Sequence, residues 1–379
     1  MTQKTIPAIS IIISMYNVEK YIGELLDCIL AQTFDDYEII VVDDASTDNS
    51  AKIVEEYAPK FTRGVTEKFQ FIRQKVNSGN PGKNLNLALK LSRGKYVYIL
   101  DSDDAIAATA LEELYKVAED FQADVVQCQQ FRAIPNELWV KTDKLSVAPT
   151  SYKDIIPVSA PTLLSENFAE RVQMLRQRKL LWPYWTQLTR RDFIMKNELG
   201  FTRNLAVDMI YTCCLVCSAR RYVLIPNVLN FYRVTQGSLS NNREDIQKSV
   251  HKYLEALIQG FQYVDKFLNG QEFFQQRLDA KYAVLDIIVR EFANYLLGIY
   301  SQVPAFQLDA LVRHEISQLK DTTALTAFLF ARMNVFNVNL LQQQQLIQNQ
   351  QQQIQQLQAQ LQQLQPAQFQ LQTEDIFKH

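Results

Sequence analysis

Residues 9 to 104 alternate short apolar runs with amphipathic stretches, and that alternation restricts the fold more than anything else in the chain. The runs 9–13, 37–42, 69–73 and 96–100 are rich in β-branched and aromatic residues, the pattern of strands buried on both faces. Between the first two, residues 18–32 carry Tyr21, Ile22, Leu25, Leu26 and Ile29 at helical spacing, with Asn17 as the expected cap. A short helix is expected around 50–57. A turn-rich loop spans 77–82 and leads into a helix ending at Leu91, and a further helix and strand are expected at 111–121 and 124–129. Strands separated by helices imply an α/β fold, a mostly parallel sheet with helices on both faces.

With 379 residues the chain is long enough for substantial cores. Its formal net charge of -2 gives no bulk electrostatic reason to bind nucleic acid, so no nucleic-acid partner is expected. Residues 1–8 lack the long apolar core of a signal peptide, and no uninterrupted apolar stretch is long enough to span a bilayer. The five cysteines are an odd number, which suggests reduced thiols and a cytoplasmic location, free or at the inner face of the membrane. Cys213, Cys214 and Cys217 suggest zinc, but they lack a second ligand pair nearby and read better as small apolar side chains on a buried helix.

Residues 130–240 are less regular and contain Trp139, Trp182 and Trp185, with a helix expected over 208–218. From 243 to about 339 the pattern is mostly helical. Residues 340–372 are dominated by Gln and carry no charge, yet keep a heptad. Leu340, Ile347, Ile354 and Leu361 fall at a, with Leu357 and Leu364 at d. That spacing predicts a coiled coil over 340–365, hence a homo-oligomer, ended by Pro366 and followed by a flexible tail at 366–379. The stretch 323–341 is apolar enough for an interfacial helix, although packing between domains explains it as well.

Polar groups gather where the strands end: Ser14 to Asn17, Asp43 to Asp48, and Asp101, Ser102, Asp103 and Asp104. In a parallel sheet the carboxyl ends of strands open onto the ligand crevice. Carboxylates brought together there repel one another unless a cation neutralises them, and a hard divalent ion that also grips a diphosphate does so. A solvated acidic turn is the plainer alternative for any one such motif.

Taken together, segments 10–17, 32–34, 38–48 and 94–104 resemble a family 2 glycosyltransferase with the GT-A (Rossmann-like) fold. The resemblance is clear over about 9–130 and weaker to about 240. It implies a nucleotide-sugar-binding half at 1–130 and an acceptor-binding half at 131–242, followed by the helical region 243–339. It further implies a nucleotide-sugar donor, most often a UDP-sugar, a glycan or polymer acceptor, and inversion at the anomeric carbon. By position, Asp44 is expected to hydrogen-bond the base and the backbone from Ser14 to Tyr16 to line the nucleoside pocket. Asp101 and Ser102 are expected to face the donor, with Asp101 also in the metal's water shell. Asp103 is the expected direct ligand of Mn2+ or Mg2+.

Inverting transfer also needs a base for the acceptor hydroxyl, and position assigns that role to Asp208. A helix N-cap is the structural alternative for Asp208. Segment 230–240 resembles the family's Tyr-Arg segment, so Arg233 is either a diphosphate contact or an ion-pair partner. Trp182 and Trp185 either floor an acceptor sugar or pack in the core. Several positions depart from the family pattern. Ser14 stands for the usual Pro, Ala45 for Gly and Val207 for Glu, and Lys83 replaces an Arg in the proposed donor contact without its planar fork. The competing reading is an inactive nucleotide-binding scaffold that organises other enzymes through its coiled coil.

Overall fold

The computed structural model describes residues 6–61, 68–150, 154–202, 207–235, 246–300 and 345–360, with isolated positions between 313 and 329. It divides into two units, Met1–Leu319 and Lys320–His379. In the second unit residues 345–360 are helical, with Ile347, Ile354 and Leu357 exposed. Leu340, Leu361, Leu364, Pro366 and the expected tail lie outside the described residues.

The first unit opens with β1 (Ile9–Met15), α1 (Ile22–Leu30), β2 (Tyr37–Asp43), α2 (Ser50–Phe61), β3 (Phe69–Arg73), α3 (Pro81–Leu91) and β4 (Tyr96–Asp101). It continues through β5 (Ala105–Ile106), α4 (Ala110–Asp120), β6 (Val125–Cys128), β7 (Arg132–Pro135), β8 (Thr162–Leu163) and α5 (Phe168–Arg176). A 3-10 turn, Tyr184–Thr186, leads into β9 (Gln187–Arg190), α6 (Arg191–Lys196), α7 (Val207–Ser218), β10 (Tyr222–Ile225) and β11 (Asn230–Val234). Three further helices follow, α8 (Ile246–Asn269), α9 (Glu272–Gln276) and α10 (Leu278–Tyr300).

An 8-stranded sheet runs β3-β2-β1-β4-β9-β6-β10-β8. β1, β2, β3 and β4 are mutually parallel, as the apolar runs imply. Ile9, Ile11 and Ile13 of β1 pack with Ile22, Leu25, Leu26 and Ile29 of α1 and with buried residues of α2 and α4. Each such side chain contributes about 1.5–3 kcal/mol when fully buried. α3 lies against β1 and β2 on the other face, its start set by Asn80, whose side chain accepts from the Gly82 N–H at 2.9 Å, and by Pro81 in the first turn.

A buried polar knot locks β4 onto β1 and β2. Ser10 Oγ donates to Glu38 at 2.6 Å and accepts from the Gly94 N–H at 2.8 Å, while Arg93 donates to Glu38 through its peptide N–H at 2.7 Å and Nη2 at 2.8 Å. A Cβ on Gly94 would sit 2.5 Å from Ser10 N, so only glycine allows the two backbones this close.

One strand is unforeseen and one expectation is corrected. β9 runs antiparallel to both β4 and β6 and separates them, although its Gln, Leu, Thr and Arg side chains make no apolar run. Asn17 does not cap α1, which begins at Ile22 with no side-chain cap. It adopts φ 51°, and its Oδ1 accepts from the Thr47 N–H at 2.8 Å, tying the end of β1 to the loop after β2. The expected helix cysteines are all buried on α7 and unpaired. α8 and α10 pack on each other and against α7, and α10 also meets α5. No helix among the described residues is long and apolar enough to cross a membrane.

Candidate active site

The register of the sheet brings the acidic strand ends to one edge. Asp43 pairs with Met15, and Asp101 pairs with Ser14 on the other side of β1. Asp44 and Asp101 therefore leave the sheet on strands separated by one neighbour, roughly 10 Å across two strand spacings.

Asp44 is buried, and its carboxylate is held by the 77–80 loop: Ser78 donates from its peptide N–H at 3.0 Å and from Oγ at 3.0 Å. Ala45, directly after it, has φ 62°. That left-handed backbone is why the family pattern has glycine here. Tyr16 is 45% exposed. Ser14 turns its Oγ toward Asn84, whose Nδ2 lies 3.4 Å away and whose Oδ1 is buried without a partner among the described residues. Lys83 is exposed in the first turn of α3.

Beyond β4, the carboxyl groups of Asp101, Asp103 and Asp104 crowd together, and the helical turn that starts α7 adds Asp208. Burial, and then the charge of Asp103, push Asp101 up to about 7, although the Tyr184 hydroxyl donates to its Oδ1 at 2.6 Å. Burial raises Asp103, opposed by Arg233. Asp104 and Asp208 lie well above the usual carboxylate range, through burial first and then through the neighbouring aspartates, Asp101 in the case of Asp208. Asp208 does not cap its own helix. The nearby Tyr184 backbone offsets part of that rise, and among the described residues Asp208 Oδ1 is buried with no partner. Ser102 is buried beside this group.

Arg233 on β11 holds the acidic turn from behind. Its peptide N–H donates to Asp104 Oδ1 at 2.8 Å, and its Nε donates to the Asp103 carbonyl at 2.8 Å. Its Nη2 pairs with Glu24 at 2.7 Å, and the guanidinium lies over the Trp139 and Tyr21 rings. Of the two expectations for Arg233, the geometry matches the ion-pair partner. Trp185 is buried and stacks on Tyr232, ring centroids 5.7 Å apart and planes nearly parallel, and Phe131 meets it edge-on at 4.9 Å, so the ring is spent on packing. Tyr232 is half-buried, and burial followed by the nearby aspartates pushes its hydroxyl up to about 12.

Ser78 and Tyr184 have no role in the sequence reading, which holds Tyr232 only as part of the Tyr-Arg segment. No local pattern ties these three to the aspartates, because each meets them only through the sheet's long-range pairing.

Residues 10–180 match the family described as Glycosyl transferase family 2. The chain is 32% identical over 280 residues to a Bacillus subtilis strain 168 protein named EpsH, covering 72% of this chain and 73% of that one. The chain belongs to glycosyl transferase family 2. This family 2 chain is also 38% identical over 209 residues to the poly(ribitol-phosphate) beta-glucosyltransferase of Bacillus spizizenii, covering 54% of this chain and 31% of that enzyme. The family 2 chain spans 31% to 63% of the length of the first curated relatives it matches. The crystal structure of Staphylococcus aureus TarS 1–349 in complex with UDP-GlcNAc superimposes with a TM-score of 0.61 at 20% identity, covering 81% of this chain and 79% of that one. The fold is therefore GT-A-like, an α/β fold with a large, mostly parallel sheet.

Proposed function

We propose that this family 2 chain is an inverting, metal-dependent glycosyltransferase. It moves a hexosyl or N-acetylhexosaminyl group from a nucleotide donor, a UDP-sugar, to a glycan or polymer hydroxyl in surface-polysaccharide synthesis. One observation carries the reading: Asp101, Asp103, Asp104 and Asp208, from separate elements, converge at the carboxyl end of β4 with their proton affinities raised. The activities of the Bacillus spizizenii enzyme and of TarS, a poly(ribitol-phosphate) beta-N-acetylglucosaminyltransferase, support the substrate class.

The donor set fits Mn2+ or Mg2+. It is all hard oxygen, and among the described residues the nearby Arg233 guanidinium pairs its Nη2 with Glu24. Among the described residues no group of three or more His, Cys, Asp or Glu is arranged to cage a metal alone. One or two carboxylates completed by substrate phosphates is the usual manner of holding such an ion. Asp103 is the proposed direct ligand, with Asp101 beside it. When bound, the ion stabilises negative charge on the diphosphate.

The chain's own groups do the remainder. Asp44, steadied by Ser78, retains lone pairs to accept from the N–H of a uracil base. The backbone from Ser14 to Tyr16 lines the nucleoside pocket, Ser102 faces the donor, and Lys83 supplies positive charge toward it. Asp208 takes the proton of the acceptor hydroxyl as that oxygen attacks the anomeric carbon, and the bond to the diphosphate breaks on the opposite face. A raised proton affinity suits a base working near neutral pH. Self-association through residues 340–365 belongs to the same proposal. It adds avidity for a polymeric or membrane-linked acceptor, and the exposed Ile347, Ile354 and Leu357 support it.

Purified protein with Mn2+ and a panel of UDP-, GDP- and TDP-sugars tests the reading. Release of UDP from a UDP-sugar is expected. Neither binding nor turnover across the panel would end it.

A further inference from the structure

Tyr184 stands between two parts of the site that arrive from distant stretches of chain. Its hydroxyl donates to Asp101 Oδ1 at 2.6 Å, across 83 residues of sequence. Its backbone also lies close enough to Asp208 to lower that carboxyl's proton affinity. Asp101 ends β4, and Asp208 lies in the first turn of α7, so the residue sits beside both acidic groups and bonds the first of them.

The segment that carries Tyr184 is fastened at several points. Gln127 Nε2 donates to the Leu181 carbonyl at 2.8 Å, Thr212 Oγ1 to the Trp182 carbonyl at 2.7 Å, and Asn230 Nδ2 to the Trp185 carbonyl at 2.7 Å. These donors come from β6, α7 and β11. Thr186 Oγ1 closes the turn on the Pro183 carbonyl at 2.7 Å. The Tyr184 ring is 6% exposed and meets the Phe201 ring edge-on at 5.4 Å, and Phe201 stacks on Tyr211 at 4.5 Å. A side chain held this firmly keeps its hydroxyl in one place.

We propose that Tyr184 is a positioning residue: its hydroxyl fixes the rotamer of Asp101 toward a divalent cation. The inference rests on the proposed metal-dependent function and extends it to a residue with no charge of its own. Asp101 has two oxygens. The hydroxyl occupies Oδ1 and leaves Oδ2 for the cation or its water. Without the donor, Asp101 is free to turn and is left closer to the like charge of Asp103 with nothing to offset it. The ring packing on Phe201 does not depend on the hydroxyl, so the two roles of Tyr184 separate experimentally.

The test is Tyr184→Phe in the full chain, titrated with Mn2+ at fixed UDP by calorimetry and assayed for UDP release from UDP-glucose and UDP-N-acetylglucosamine with water as acceptor. The Mn2+ midpoint is expected to rise about tenfold or more, the size of a hydrogen bond to an ionised group. Turnover is expected to fall at low Mn2+ and to recover at saturating Mn2+, a rescue that a purely structural defect does not show. Phe201→Leu is the companion variant. It loosens the ring's support without removing the hydroxyl, and it is expected to lower the melting temperature with the Mn2+ midpoint within about twofold of wild type.

An unchanged midpoint in Tyr184→Phe overturns the inference. So does an equal midpoint shift in both variants, or a Tyr184→Phe melting temperature lower by more than about 5 °C, because each assigns the residue to stability. If wild type itself neither binds UDP with Mn2+ nor turns over, it is the proposed function that fails. If wild type is active and Tyr184→Phe behaves identically, only the role of Tyr184 fails.

Discussion

The Arg233 guanidinium lies 3.8 Å from the centroid of the Trp139 ring. This contact joins β11 to the loop after β7, behind the acidic turn. Trp139 is fully buried, and its indole N–H donates to Glu24 Oε1 at 2.7 Å, the carboxylate that also accepts from Arg233 Nη2 at 2.7 Å. The cation is stacked, paired and hydrogen-bonded at once, which fixes the Asp103 carbonyl and the Asp104 side chain in front of it.

Arg233→Lys is therefore expected to be far from conservative. An ammonium cannot stack flat on Trp139 and bond Glu24 and the Asp103 carbonyl together. The expected loss is about 1–3 kcal/mol in urea unfolding, discounted because Glu24 is partly exposed and keeps Lys144 at 2.8 Å. A variant as stable as wild type would remove Arg233 from the support of the acidic turn.

Asp208→Asn keeps the shape of the first turn of α7 but cannot accept a proton. UDP binding is expected to stay within about twofold, while turnover falls about a hundredfold or more. Full turnover in this variant would withdraw the base assignment.

Ala45→Gly is expected to stabilise the protein by about 0.5–1 kcal/mol. The left-handed backbone at φ 62° costs an L-residue roughly 1–2 kcal/mol, and the extra freedom of glycine in the unfolded chain returns part of that. Thermal unfolding measures it, and a lower melting temperature would show that the methyl group's packing outweighs the strain.

Gly94→Ala moves stability the other way. The new Cβ would meet Ser10 N at 2.5 Å and Ser10 Oγ at 2.6 Å, backbone and knot together, so β1 and β4 must part. A loss of about 1–3 kcal/mol is expected by chemical denaturation. An unaffected midpoint would mean that the strands slide without cost.

Removal of residues 340–379 is expected to give a monomer by light scattering, with hydrolysis of the donor retained. An unchanged mass would reject the Gln-rich segment as the assembly device.

The sequence by itself determined the strand runs, their parallel order across β1, β2, β3 and β4, and the placing of Asp44, Asp101 and Asp103 at one sheet edge. These follow from local burial patterns, because an apolar run between helices has one buried direction and a parallel sheet sends every carboxyl end the same way. Only the tertiary structure decided that β9 enters antiparallel in mid-sheet, that Ser78 holds Asp44, and that the Tyr184 hydroxyl bonds Asp101. It alone turned Arg233 to Glu24, a partner 209 residues away. Such choices depend on which side chains meet across the folded body, and nothing in the periodicity of one segment records the partner that packing brings to it.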